Sequence, residues 1–265
     1  AVFCHKAVSS HFGWKRLFLC GGFFLLDGCV ILVKIKNKGG IAVKTAQPFT
    51  GFSAEMIDFL WELRFHNYKA WFDENRTRYQ RVLKLPMDAF AQALSEKLAH
   101  GTGLKLLPSV SRINRDVRFS KDKSPYRDHK WLVLHRHTGP WKDKPVLYFE
   151  VGPDGYCVGL GIYENLPAYL KGFRKKILSD SARFLRIIHR VEKKGFHSEG
   201  ESYCRKMIDT ENPELAQWGQ KKEIDVVMRR KVDELLFDPN LLDWCVERME
   251  ELWDFYRFLD EVVVE

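Results

Sequence analysis

The stretch Val146-Leu147-Tyr148-Phe149-Glu150-Val151-Gly152-Pro153-Asp154-Gly155-Tyr156-Cys157-Val158-Gly159-Leu160-Gly161-Ile162-Tyr163 decides the fold. Two runs rich in β-branched and aromatic residues flank Gly152-Pro153-Asp154-Gly155, whose residue types turn a chain sharply. Residues 146–151 and 156–163 are therefore predicted to pair as an antiparallel hairpin. Upstream, residues 131–136 read as another strand. Residues 110–119 alternate with period two, Ile113, Arg115, Val117 and Phe119 on one face and Arg112, Asn114, Asp116 and Arg118 on the other, which predicts a strand there too. Residues 120–129 between them carry the composition of a turn-rich loop.

Farther out the period lengthens toward 3.6. Ser53 is placed to cap a helix with Met56, Phe59, Leu60 and Leu63 on one face. A second helix is expected over residues 67–83, its stripe formed by Tyr68, Trp71, Phe72, Tyr79 and Val82 and its end imposed by Pro86. Pro86 opens a third, with Phe90, Leu94 and Leu98 inward, ending before Gly101. Beyond the hairpin, helices are expected from Pro167 (Tyr169, Leu170, Phe173, Ile177) and after Asp180 (Phe184, Ile187, Ile188, Val191). Residues 196–230 read as one or two strands around a short helix opened by Pro213, and Asp238-Pro239 starts a long helix reaching about Val262. Helices before and after a run of strands define an α+β fold: a central antiparallel sheet flanked by N-terminal and C-terminal helices.

A chain of 265 residues with 45% hydrophobic content can bury a full core. Residues 49–265 read as one α+β domain, with no internal repeat or linker. Residues 1–48 read differently. Their apolar run 17–33 is short for a membrane span, contains Asp27 and three glycines, and lacks a cleavage pattern; hairpin-like turns are a second reading, and an extension outside the domain is the reading adopted. The six cysteines, Cys4, Cys20, Cys29, Cys157, Cys204 and Cys245, form no Cys-x-x-Cys pair, so neither a zinc knuckle nor a disulfide framework is indicated and a cytoplasmic location is expected.

The net charge of +8 is unevenly spread. Residues 1–50 hold seven Lys/Arg against one Asp, residues 110–145 ten against four, and residues 233–265 two against eleven Asp/Glu. Within the basic segment 110–145, residues 112–129 are the densest concentration of charge, turn formers and aromatics and form the candidate site. Arg112, Arg115, Arg118, Lys121 and Lys123, with the hydroxyls of Ser120 and Ser124 and nearby loop amides, could surround a phosphate or carboxylate; Asp116 and Asp122 would orient the cations or act as base, and Tyr126 completes the expected ligand-binding set. The competing structural reading makes the same charges an ion-pair network tying strand to loop. Two further readings of the chain are a nucleic-acid module using residues 110–145 and an interaction domain whose acidic C-terminal helix meets a basic partner. His135-x-His137 with His129 suggests a metal set only weakly, since no supporting carboxylate can be assigned; surface histidines, no metal and no cofactor are the expectation. The aromatics Trp71, Phe72, Tyr79 and Trp131 are read as core rather than as a base-stacking platform.

The run Arg115-Asp116-x-Arg118-Phe119-Ser120-Lys121-Asp122-Lys123-Ser124-Pro125-Tyr126 resembles the signature of the bacterial domain-of-unknown-function family 2461. The resemblance extends over residues 49–253: Gly51-Phe52, residues 67–72, Phe149-Glu150-Val151 before Gly155-Tyr156, Arg174, and residues 203–206. His66, Ala70 and Cys204 depart from the family's Asn, Glu and Lys. The resemblance implies a single domain and no assigned reaction.

Overall fold

The computed structural model describes residues 49–118, 122–136, 141–164 and 166–264. The readings of residues 1–48, including the apolar run 17–33, lie outside the described residues. A six-stranded antiparallel sheet, order β1-β2-β3-β4-β6-β5, forms the centre. Its strands are β1 Leu107–Val110, β2 Lys130–His135, β3 Pro145–Gly152, β4 Gly155–Ile162, β5 His197–Ser198 and β6 Asp225–Lys231. The hairpin forms as expected, Gly152 opposite Gly155 across the two-residue Pro153-Asp154 turn.

One sheet face is covered. Leu132 and Leu134, Leu147, Phe149 and Val151, Val158 and Leu160, and Val226 alternate onto it and pack with the helices. Helix α1, Ala54–Phe65, buries Met56, Phe59, Leu60 and Leu63, the stripe that its sequence presents. Short helices α2, Lys69–Glu74, and α3, Arg76–Tyr79, follow. The predicted break at Pro86 does not occur. Instead a π-helical turn, Gln80–Lys84, runs directly into α4, Leu85–Thr102, with Leu85 N–H donating to the Gln80 carbonyl five residues back. The wider turn moves the carbonyl of Val82 off the Pro86 ring, which an α-helical turn would crowd. Helix α4 passes the expected stop at Gly101 and ends where Gly103 adopts φ 70°, a left-handed cap that glycine enters without strain.

The C-terminal half matches its pattern with one change. Helices α5, Pro167–Ser179, and α6, Ser181–Lys193, bury the expected residues. Pro213 opens α7, Pro213–Gln220, where Asn212 Oδ1 accepts from the amides of Glu214 and Leu215, both at 3.0 Å. After α8, Glu234–Phe237, the expected long helix is two, α9, Leu241–Glu251, and α10, Trp253–Asp260, broken at Leu252, a residue fully buried between them. Among the described residues no helix is long and apolar enough to cross a membrane.

The strand expected over residues 110–119 is a correction. Only Leu107–Val110 pairs with β2. At Ser111 the side chain enters the ladder: its N–H donates to the Trp131 carbonyl at 2.8 Å, but its hydroxyl, not its carbonyl, accepts from Trp131 N–H at 3.1 Å. The chain then leaves the sheet. Its limb 111–118 pairs with the returning limb 122–129 through one bridge, Asn114 to Tyr126, flanked by Arg115 N–H to the Pro125 carbonyl and Arg127 N–H to the Ile113 carbonyl, 2.9 and 2.8 Å. Lys130, the first residue of β2, points to the covered face and is 2% exposed. Its ammonium donates to the freed Ser111 carbonyl at 2.5 Å and lies 5.9 Å from the Tyr79 ring centroid.

Candidate functional site

The charged loop is held from beneath by neutral groups. Asn67 bonds both backbone groups of Tyr126, donating to its carbonyl at 2.9 Å and accepting from its N–H at 3.0 Å. The buried Tyr126 ring stacks on Phe72 with centroids 4.0 Å apart. Above this anchor the charges pair among themselves. Arg118 forms a two-pronged bond to Asp116 at 3.0 and 2.7 Å, and that contact holds the Asp116 carboxyl at about 2. Arg115 reaches Asp122 at 3.1 Å, while Asp122 accepts from Ser124 N–H at 2.9 Å. Lys123 donates to the Val117 carbonyl at 2.8 Å, and Arg112 is exposed. Lys121 lies outside the described residues. The structure thus joins Arg115 with Asp122 and Arg118 with Asp116, and none of the three cavities below is lined by Arg112, Arg115, Asp116, Arg118, Asp122, Lys123 or Tyr126. One donor is left over: Arg115 Nε is buried without a hydrogen-bond partner among the described residues.

Arg127, a neighbour of these residues, is held differently. One guanidinium nitrogen donates to the carbonyls of Arg112 and Asn114 at 3.1 and 2.7 Å, and the group lies over the Trp131 ring, 4.8 Å from its centroid. It has no carboxylate partner among the described residues. Burial, more than neighbouring charge, lowers its pKa from the usual arginine value.

Trp131 belongs to the second face of the sheet, the one the helices leave open. The register places Trp131, Glu150, Cys157 and Arg229 in one row across β2, β3, β4 and β6, and Val133, Tyr148, Gly159 and Val227 in the next. In a third row Val146 stands opposite Gly161 and Gly161 opposite Asp225. A Cβ on Gly159 would stand 2.5 Å from the Tyr148 hydroxyl, and one on Gly161 2.7 Å from an Asp225 oxygen. The two glycines open a furrow along which Tyr148 lies across β4 and donates to Asp225 at 3.0 Å. Burial raises the Asp225 carboxyl to about 6 against the opposing effect of the Tyr148 bond, and raises the Tyr148 phenol well above its usual value. Burial also pushes the Cys157 thiol up to about 12, which leaves it a poor nucleophile.

Two cavities meet on this face. A groove of about 310 Å³ is lined by His129, Trp131, Tyr148, Glu150, Tyr163 and Asp225 over a floor of valine, isoleucine and glycine. The adjoining cavity, about 410 Å³, shares His129 and Glu150 and adds Arg64, Arg229, Arg230 and Lys231. Most of its cations are committed: Arg64 to Asp128 and Asp154 at 2.6 and 2.7 Å, Arg229 to Glu199 at 2.7 and 2.6 Å, and Arg230 to Asp233. Lys231 is exposed and has no carboxylate partner among the described residues. A third cavity, about 290 Å³, lies between α6 and α10.

His135 corrects the surface-histidine reading. It is buried, its Nε2 is 2.9 Å from Ser109 Oγ and its Nδ1 3.0 Å from the Arg136 carbonyl, so both nitrogens are engaged. His137 lies outside the described residues. Phe72 and Tyr79 are buried and Trp71 packs against the core, as expected, whereas Trp131 faces the groove. Arg127 lies inside the stretch 112–129 that the sequence singles out, though outside the contact residues expected there, whereas Tyr148, Glu150, Tyr163 and Asp225 are not among the site residues that the sequence suggests. The alternation of Tyr148 and Glu150 against Leu147, Phe149 and Val151, beside Gly159-x-Gly161, marks those two residues, and no such pattern marks Tyr163 or Asp225.

A family model described as a conserved hypothetical protein (DUF2461) matches residues 55–258, well over half of the chain. No curated protein matches the sequence.

Proposed function

The chain belongs to the DUF2461 family, and since that membership brings no reaction with it, we propose from the site that the domain binds a small anionic, phosphate-bearing ligand where the loop 111–129 meets the open sheet face. The observation that carries this reading is Arg127. Its guanidinium is set in place by two carbonyls and the Trp131 ring, at the edge of a groove, without a counter-ion among the described residues. A planar fork whose position is already fixed loses little freedom on meeting a phosphate, and the free nitrogens supply charge-assisted bonds. Arg112 and Arg115, close enough to Arg127 to lower its pKa, add positive potential at the same edge. In this reading Arg118 and Asp116 stiffen the loop and do not touch the ligand. The free thiols of Cys157, Cys204 and Cys245 support a reducing, cytoplasmic setting for the domain.

A thermal-shift panel of inorganic phosphate, sugar phosphates and nucleotides tests the proposal on the full chain. Ligand at about 100 times its Kd adds about 2.7 kcal/mol, a rise of several degrees for a domain of this size. Arg127→Ala and Arg127→Lys are expected to abolish the rise, the second because a point charge lacks the fork, while Arg118→Ala keeps it. A flat response of the unaltered chain across the panel would sink the proposal. Binding that collapses steeply with salt and favours polynucleotides over mononucleotides would replace it with the nucleic-acid reading.

A further inference from the structure

The groove lined by Trp131, over whose ring Arg127 lies, carries the wrong sign for a simple anion. Glu150 and Asp225 both line it, and neither is ion-paired among the described residues. Glu150 stands next to Trp131 in the same row, one strand spacing of about 4.8 Å away. Asp225 is held at the far side by the Tyr148 hydroxyl, in a position kept open by Gly159 and Gly161. The remaining walls are the rings of Trp131, Tyr148 and Tyr163 and the His129 imidazole, which is bonded to Asp128. Carboxylates and aromatic faces around an apolar floor are the surroundings that an organic ammonium group prefers, since the ring quadrupoles and the carboxylates attract it and the floor takes its methylenes.

A guanidinium without a carboxylate partner therefore sits at the rim, over the same tryptophan whose row neighbour is a carboxylate without a cation. A plain phosphate ester drawn by Arg127 would bring its own negative charge toward two more. A dipolar molecule satisfies both ends. Building on the anion-binding reading of Arg127, we infer that the ligand is an aminoalkyl phosphate: its phosphate meets Arg127 at the rim, and its ammonium lies in the groove against Glu150 and Asp225, between the Tyr148 and Tyr163 rings.

Four probes test this by calorimetry on the full chain at pH 7.5: ethyl and butyl phosphate, and their 2-aminoethyl and 4-aminobutyl counterparts. The amino esters are expected to bind at least about tenfold more tightly than the alkyl esters of equal length, the measured size of a well-placed charge pair. Glu150→Gln and Asp225→Asn preserve shape, and in the second the amide oxygen still accepts from the Tyr148 hydroxyl. Each should weaken the amino esters and tighten the alkyl esters, a crossed effect that no general loosening of the fold produces. Chain length separates the partners: Glu150→Gln should act on both amino esters and Asp225→Asn chiefly on the longer. If Asp225→Asn fails to fold, the crossed effect at the more accessible Glu150 decides alone. Alkyl esters binding as tightly as amino esters, or both classes changing together in Glu150→Gln, would overturn the ammonium site while leaving the Arg127 reading intact. No binding by any of the four, or binding that survives Arg127→Ala, would overturn both.

Discussion

Lys130 holds a charge where the fold has almost no water to give it. The side chain is 2% exposed, its ammonium bonds to one carbonyl, and burial, against a favourable effect of Asp88 and an unfavourable one of Lys84 and Arg127, lowers its pKa from 10.5 to about 8. At 1.36 kcal/mol per pH unit, that drop means the folded state carries a penalty of about 3 kcal/mol whenever the lysine is charged in both states. The penalty is complete below pH 8 and fades as the pH rises toward 10.5, because there the unfolded chain holds the proton that the folded one has released. Between pH 7.5 and 9.5 the relief amounts to about 2 kcal/mol. The unaltered protein alone will not display it. Cys157 and Cys245, whose thiols burial pushes up, lose stability over the same range as the unfolded thiols ionise, with opposite sign and similar size.

Lys130→Met separates the contributions. Methionine fills the site, removes the titration, and leaves the Ser111 carbonyl without its donor, a cost of about 1–3 kcal/mol that does not vary with pH. Urea unfolding of both proteins at several pH values should show the difference in stability, variant minus parent, falling by about 2 kcal/mol from pH 7.5 to 9.5, or about 4–8 °C in Tm. Parallel curves would refute the account of a charged lysine in a dry site.

Three other substitutions probe the frame around the groove. Asn67→Ala removes both bonds to the Tyr126 backbone and should cost about 2–3 kcal/mol, with faster amide exchange confined to residues 111–129. Gly159→Ala puts a methyl group 2.5 Å from the Tyr148 hydroxyl and from the Val226 carbonyl; a loss of about 2 kcal/mol or more in urea unfolding, together with a changed Tyr148 ring environment by NMR, is expected. Tyr148→Phe removes the donor that steadies ionised Asp225, so the carboxyl, already near 6, should titrate at higher pH by carbon-detected NMR.

The sequence was most legible where local chemistry decides geometry. Gly152 to Gly155 forces a turn, and the stripe Met56, Phe59, Leu60, Leu63 needs only a helical period to reach the core. The loop after Val110 misleads for a physical reason: Ile113 is buried while Arg112 and Asn114 are not, so an irregular segment lying against the core shows the alternation of a strand without its ladder. The charged run was visible, and so were Asp116 and Asp122 as partners for its cations, but which cation each would hold was not. Whether Arg118 meets Asp116 or a ligand depends on how the limbs fold back. Asp225 was hidden altogether, because the tyrosine that binds it lies 77 residues earlier in the chain and contacts of that range leave no periodic trace.

The π turn at Gln80–Lys84 has a bearing on that loop. A five-residue bond is an α turn with one residue to spare, so deleting a single residue there would let the helix close to an ordinary one. Helices α1 to α3 would then rotate by about 100° and advance about 1.5 Å relative to α4. Phe72 would leave the Tyr126 ring, and Asn67 would leave the Tyr126 backbone. One surplus residue in a helix sets the phase in which the charged loop is held.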